Sequence, residues 1–296
     1  MKTPRMAEAM NYIDDDLVSG AITYTRKKNT GWVKWCALAA CLCLVISIAI
    51  PVLHYKGGPD HQGHVEDIAA LEYNGKFYEA VDIPEVLKKY GLPAKITADM
   101  AGEHLAYLQQ RGDSGYKCTT TVTDMELYQY APAPCDGVLV LRDGDVWFAA
   151  LFCNFYGFDD NTNYEFTELY RVYGIERADQ IASITEMGKG NKKEIGRPVT
   201  DAKEIETFYS ITTALLSYGN DDYQEMLYGG IPEEDQQAFH SAVADDRRNL
   251  RIETTDGICF FIAFYPNYNW IYGTGALSYY QINEAMHDWI NRNLND

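Results

Sequence analysis

Positive charge is scarce in this sequence: 25 Lys and Arg stand against 43 Asp and Glu over 296 residues, a formal net charge of −18. Such a field repels polyanions, which excludes nucleic-acid binding by the chain as a whole. Catalytic signatures are missing as well. There is no G-x-S-x-G, no Walker A loop and no H-E-x-x-H, so no motif supports a serine hydrolase, a nucleotide hydrolase or a zinc protease. The six histidines are scattered and no cysteine pair has zinc-finger spacing. The expectation is therefore no catalytic residue, no resident metal centre and no cofactor. Low-complexity composition is absent too, since hydrophobic residues make up 47% and aromatics 13%, more than a disordered or collagen-like chain carries. At roughly 150 residues per domain, the length accommodates two folded units.

Charge is also absent locally. Residues 36–53 read CALAACLCLVISIAIPVL, and no charged residue occurs from Trp35 to Tyr55. That run makes roughly 27 Å of helix, close to the hydrocarbon thickness of a bilayer. Residues 36–55 read as a transmembrane helix, with Trp32, Trp35 and Tyr55 placed for the headgroup regions. Between Leu17 and Lys34 lie Arg26, Lys27, Lys28 and Lys34 and no acid, whereas Lys56 stands alone on the other side. The N-terminus is expected in the cytoplasm and the C-terminal region outside, at the cell membrane. That outer part, residues 57–296, carries 18 cations against 39 acids, a net of −21. Two other readings exist: Leu38-Ala39-Ala40-Cys41 has the look of a lipoprotein signal, and Ser47 with Ala49 that of a cleavage site. Most of the apolar run follows Cys41 instead of preceding it, which disfavours the first; an uncleaved anchor is preferred.

Residues 1–35 form a tail and a basic linker. Met6, Met10, Ile13 and Leu17 recur at helical spacing, a stripe that suits a partner-binding helix, although one this short is marginal alone. The acidic stretch Tyr12-Ile-Asp-Asp-Asp-Leu17, the basic linker and Trp32-Val-Lys-Trp35-Cys-Ala-Leu-Ala-Ala-Cys41 resemble the front end of uncharacterised single-pass membrane proteins of clostridial Firmicutes. That group is similar in layout to anti-sigma-factor regulators. The resemblance covers about the first 55 residues. It implies signalling, with an inner tail that holds a sigma factor and an outer domain that senses. One part departs from the pattern. The zinc-binding anti-sigma motif His-x-x-x-Cys-x-x-Cys is missing, because no His or Cys precedes Cys36. The alternative is a surface-anchored binding module whose tail only sets topology.

Residues 56–66 read as a Gly/His-rich tether. Beyond it the patterning is α+β: antiparallel sheets with helices, expected as two lobes over 67–175 and 176–296. Asn74-Gly75 marks a type I′ hairpin. Residues 84–90 and 98–109 have helical texture, and strands follow at 119–123, 126–130, 138–142 and 145–152, the last two turning at Asp143-Gly144. In the second half, strands are expected at 181–186, 193–198, 250–255 and 258–265. Asp201 caps a helix with the stripe Ile205, Phe208, Tyr209, Thr212, Leu215 and Leu216, and a last helix runs from about Gln281 to Leu294.

Three sets of outer residues are candidate sites. Cys135 and Cys153 are one residue out of register in a hairpin turning at Asp143-Gly144, so a bulge could join them in a disulfide; otherwise they are two thiols buried in a sheet. Asp159, Asn161 and Asn163 place oxygen at alternate positions as calcium loops do, but Tyr164 and Tyr170 replace the expected Gly and Glu; a polar turn explains them as well. Twenty of 23 tyrosines follow residue 55. The densest cluster, Tyr265, Tyr268, Trp270 and Tyr272, could face a ligand, although tyrosine is also a good strand residue.

Overall fold

Asn74 and Gly75 both have positive φ, 48° and 71°. Their turn joins β1 (Ala70–Tyr73) to β2 (Lys76–Val81), with Tyr73 opposite Lys76. In the computed structural model, which describes residues 70–111, 115–119, 125–155, 163–188, 191, 193–273 and 278–294, this hairpin opens a closed barrel. After α1 (Pro84–Lys89) come β3 (Ala101–Arg111), β4 (Gly115–Thr119), β5 (Met125–Tyr130), β6 (Val138–Asp143) and β7 (Val146–Phe155). The order around the barrel is β1-β2-β7-β6-β5-β3-β4, and a parallel β1–β4 pairing closes it among otherwise antiparallel neighbours.

Strand alternation sorts the barrel's side chains. Leu71, Tyr78, Leu108, Leu127, Leu139, Leu141, Phe148 and Ala150 share the inner face by register and are buried. The helical texture expected over 98–109 is overturned: only Ala98–Met100 makes a 3-10 turn, and β3 follows. Its period is two, with Ala106 and Leu108 buried and Tyr107 and Gln109 exposed. Pairing with both β4 and β5 outweighs any local preference. The β6–β7 turn also differs from expectation, since Asp143 pairs with Val146 and the turn residues are Gly144 and Asp145.

A second sheet follows α2 (Phe166–Val172). It contains β8 (Ile181–Met187), β9 (Glu194–Val199), β10 (Ser217–Tyr218), β11 (Arg248–Thr254), β12 (Cys259–Tyr265), β13 (Trp270–Gly273) and β14 (Tyr279–Gln281), in the order β10-β14-β13-β12-β11-β8-β9. Its helices are α3 (Ala202–Thr213), α4 (Asn220–Tyr228), α5 (Gln236–Asp246) and α6 (Glu284–Asn293). Asp201 caps α3 by accepting from the amides of Lys203 and Glu204, both at 3.0 Å. Because α3 ends at Thr213, Leu216 lies beyond the helix and is 69% exposed, outside the stripe expected for it.

Two faces of this sheet do different work. Leu250, Ile252, Phe260, Ile262, Phe264, Ile271 and Tyr280 share one face and belong to a core that also includes Phe208 of α3, Trp289 of α6 and the barrel interior. The Trp289 indole donates to Glu204 O at 2.9 Å, tying α6 to α3. Barrel and sheet thus share one continuous core, within the unit His61–Asp296. They meet where Tyr173 stacks on Phe260 at 4.2 Å and the Cys259 amide donates to Tyr90 O at 3.0 Å. Gly91 is required here: it has φ +75°, and a Cβ on it would stand 1.8 Å from Gly257 O.

The α+β class with two largely antiparallel sheets agrees with the sequence patterning. The expected transmembrane helix over 36–55, the tail and the tether all lie outside the described residues. Among the described residues, no helix is long and apolar enough to cross a membrane.

Candidate functional site

Of the sequence cluster, Tyr265, Trp270 and Tyr272 fall on the second face of the sheet, and Tyr268 lies in the 3-10 turn Pro266–Tyr268 between β12 and β13. Register aligns Tyr265 with Trp270, Ala263 with Tyr272 and Tyr272 with Tyr279. α4 lays Tyr223 over them, stacked on Tyr279 at 3.6 Å and edge-on to Trp270 at 5.1 Å. Phe239 of α5 meets Tyr268 edge-on at 5.5 Å and Tyr228 at 5.3 Å. Trp270 and Tyr272 are each only 4% exposed, and burial drives the Tyr223 hydroxyl pKa upward. The expected ligand face is corrected here. Trp270 and Tyr272 are core residues under two helices, and only Tyr265 and Tyr268 are half-buried at the margin.

Cys135 and Cys153 are free thiols, both half-buried. The Phe152 amide donates to Gly137 O at 3.0 Å, and Cys153 is the extra residue of a bulge between Phe152, opposite Tyr78, and Asn154, opposite Phe77. Cys135 instead turns back to bridge Val138. The bulge is present, yet no bond joins the two sulfurs. Burial pushes both thiols above the usual cysteine range, away from thiolate reactivity. Of the calcium candidates, Asp159 and Asn161 lie outside the described residues; Asn163 is exposed and its amide nitrogen reaches Ser217 O at 3.4 Å. Among the described residues, no group of three or more His, Cys, Asp or Glu could hold a metal ion. The partner stripe Met6, Met10, Ile13 and Leu17 also lies outside them.

An aromatic set missing from the sequence reading occupies the barrel's outer wall. Tyr107 is opposite Glu126, Glu126 opposite Arg142, and Arg142 opposite Trp147, so four neighbouring strands contribute one residue each to a single row. His104 and Tyr128, paired across β3 and β5, lie beside it. The rings run continuously: Tyr107 to His104 at 4.4 Å, His104 to Tyr128 at 5.1 Å, and Tyr128 to Trp147 at 5.7 Å. Arg142 lies over the Trp147 ring at 5.5 Å. It also donates from Nη1 to Glu126 Oε2 at 2.9 Å and from Nε to Gly144 O at 2.8 Å. The Tyr128 hydroxyl donates to the same Oε2. These bonds, the Tyr128 hydroxyl foremost and then Arg142, hold the Glu126 carboxyl below its usual pKa.

The row is open to solvent at its Tyr107 end and partly open along the rest, where Tyr128 and Trp147 are half-buried and pack against the core. Tyr107 is 44% exposed, His104 is exposed, and the Arg142 and Glu126 side chains are 39% and 28% exposed. Farther along the same outer face, Val138, Val140 and Ala149 are covered. On β6 and β7 this outer face is therefore more open at the hairpin end, where Arg142 and Trp147 lie. The row could have been approached from sequence only through its hairpin. A turn one residue later than Asp143-Gly144 sets Arg142 against Trp147; the other two members come from strands whose register is non-local.

Compared with known protein families, with curated proteins and with solved structures, the chain has no match.

Proposed function

We propose that this chain is a single-pass membrane regulator with an acidic ligand-binding domain outside the cell. In this reading residues 36–55 form the anchor, the Tyr107–Trp147 row receives the ligand, and the cytoplasmic stripe Met6, Met10, Ile13 and Leu17 holds a sigma factor. The observation that carries the binding half is the internally bonded row of rings on the barrel wall, exposed at Tyr107 and His104 and half-buried at Tyr128 and Trp147. The membrane half rests on the charge-free run and the basic flank before it.

A surface-anchored binding module without signalling is the second reading, favoured by the absence of any His or Cys before Cys36. Full-length protein recovered from its native membrane, wild type beside Ile13→Asp, separates the two. A sigma factor co-purifying with the wild type and lost from the variant supports the regulator. Equal recovery from both, or none from either, overturns it in favour of the anchored module.

A further inference from the structure

Resting on the reading of the barrel row as a binding face, we propose that its ligand is a neutral glycan chain. Three properties of the row lead there. The first is its chemistry. A sugar ring presents C–H faces that pack on aromatic rings and hydroxyls that need planar, fixed hydrogen-bonding groups. The row alternates these two surfaces, with Tyr107 at one end, Trp147 at the other and the Glu126–Arg142 pair between them. Both bonds to Glu126 fall on Oε2, so Oε1 can accept from a ligand hydroxyl.

Charge is the second. Arg142 is paired with Glu126, so the row offers polar contacts without a net charge. Around it lies an outer sequence with 18 cations against 39 acids, which disfavours an acidic polymer. Size is the third. Three strand spacings separate Tyr107 from Trp147, roughly 14 Å, and two residue rows make a footprint on the order of 100 Å². A stable protein partner needs about 800 Å² per side. A glycan chain lying across the strands fits a narrow strip, and a folded protein surface does not.

The row is also built in advance of any ligand. Arg142 is fixed by Trp147, Glu126 and the Gly144 carbonyl, and Tyr128 by Glu126. Ordering these groups on binding then costs little. On the same face of β3 as Tyr107, Gln109 is also exposed and borders the strip.

The test titrates the full-length protein in lipid nanodiscs with cellohexaose, xylohexaose, mannohexaose and chitohexaose, and with polygalacturonic acid as an anionic probe, followed by tryptophan fluorescence and calorimetry. At least one neutral hexasaccharide should bind and polygalacturonic acid should not. Trp147→Ala and Tyr107→Ala should each weaken binding at least tenfold while keeping the wild-type circular dichroism and a cooperative melt. Trp147→Phe should retain part of the affinity, and Leu216→Ala, exposed beside β10, all of it. Binding that survives Trp147→Ala, or that favours the anionic probe, overturns the proposal. So does the absence of binding by every neutral probe. In that event a photo-crosslinking residue at Gln109, exposed on the same face of β3 as Tyr107, in living cells distinguishes two failures: a Trp147-dependent protein adduct keeps the row as a binding face and removes only the glycan, whereas no adduct removes both.

Discussion

Two aromatic groups in this molecule are built from similar rings, yet one is largely buried and the other lies half-open on the surface. In the sheet, Tyr218, Tyr223, Trp270, Tyr272 and Tyr279 meet edge-on, stacked or tilted at 3.6–5.5 Å. On the barrel, His104, Tyr107, Tyr128 and Trp147 meet at 4.4–5.7 Å. What separates them is the cover. α4 lays Tyr223 over the first group, whose Trp270, Tyr272 and Tyr279 are buried, whereas Tyr107 and His104 of the second are exposed and Tyr128 and Trp147 half-buried. Ring chemistry alone therefore does not distinguish a packing role from a binding role. The deciding quantity is whether another element buries the face.

The comparison breaks most readily with paired alanine substitutions. Trp270→Ala should cost about 3–5 kcal/mol, the usual range for removing a buried tryptophan. Trp147→Ala, which removes a half-buried ring, should cost less, about 1–2 kcal/mol. Urea denaturation of both variants measures the difference. Equal losses would mean that the barrel rings are as structural as those of the sheet.

A smaller effect is expected where barrel and sheet meet. Gly91→Ala sets a Cβ against Gly257 O in a left-handed backbone conformation, which should cost about 2 kcal/mol. Thermal melts should fall accordingly while any ligand affinity of the barrel row stays unchanged. A parallel loss of affinity would show that the junction and the row are coupled.

The smallest effect concerns acid. The folded Glu126 carboxyl lies below its ordinary value of 4.5, so the unfolded chain takes up that proton first as pH falls. Its contribution to stability is complete above about 4.5 and disappears as the pH drops through the folded value. Melting temperature followed from pH 6 to pH 3 should therefore decline more steeply for the wild type than for Glu126→Gln. Identical slopes would remove the Tyr128–Glu126–Arg142 bonding from the account of the row.

Local signals were legible in the sequence and non-local ones were not. Asn74-Gly75 announced its hairpin because both residues tolerate positive φ, and Asp201 announced α3 because a carboxylate there can accept from the first free amides. By contrast, residues 220–246 carry acids, glutamines and few apolar residues, and only Tyr223 and Val243 of α4 and α5 are fully buried. Helices with so narrow an apolar stripe leave little periodicity to find. Strand β3 was hidden for another reason: its partners β4 and β5 lie in both directions of the barrel, and a bulged register interrupts its alternation. The candidate site shared that fate. Tyr265 to Tyr272 are conspicuous because they are neighbours in sequence, whereas Tyr107, Glu126, Arg142 and Trp147 become neighbours only when β3, β5, β6 and β7 pair.

Closure has a second consequence, for self-association. A barrel whose first and fourth strands pair leaves no row of unsatisfied amides along its rim of strands, so neither β1 nor β4 offers a template for another chain. The sheet keeps two such borders. One, β10, is two residues long. The other, β9, reads EIGRPV: Gly196 departs into positive φ, Pro198 has no amide to donate, and Glu194 and Arg197 bring charge to an otherwise accessible strand. Among the described residues, a domain rich in tyrosine and β-structure is thereby protected against amyloid-like stacking at its strand borders.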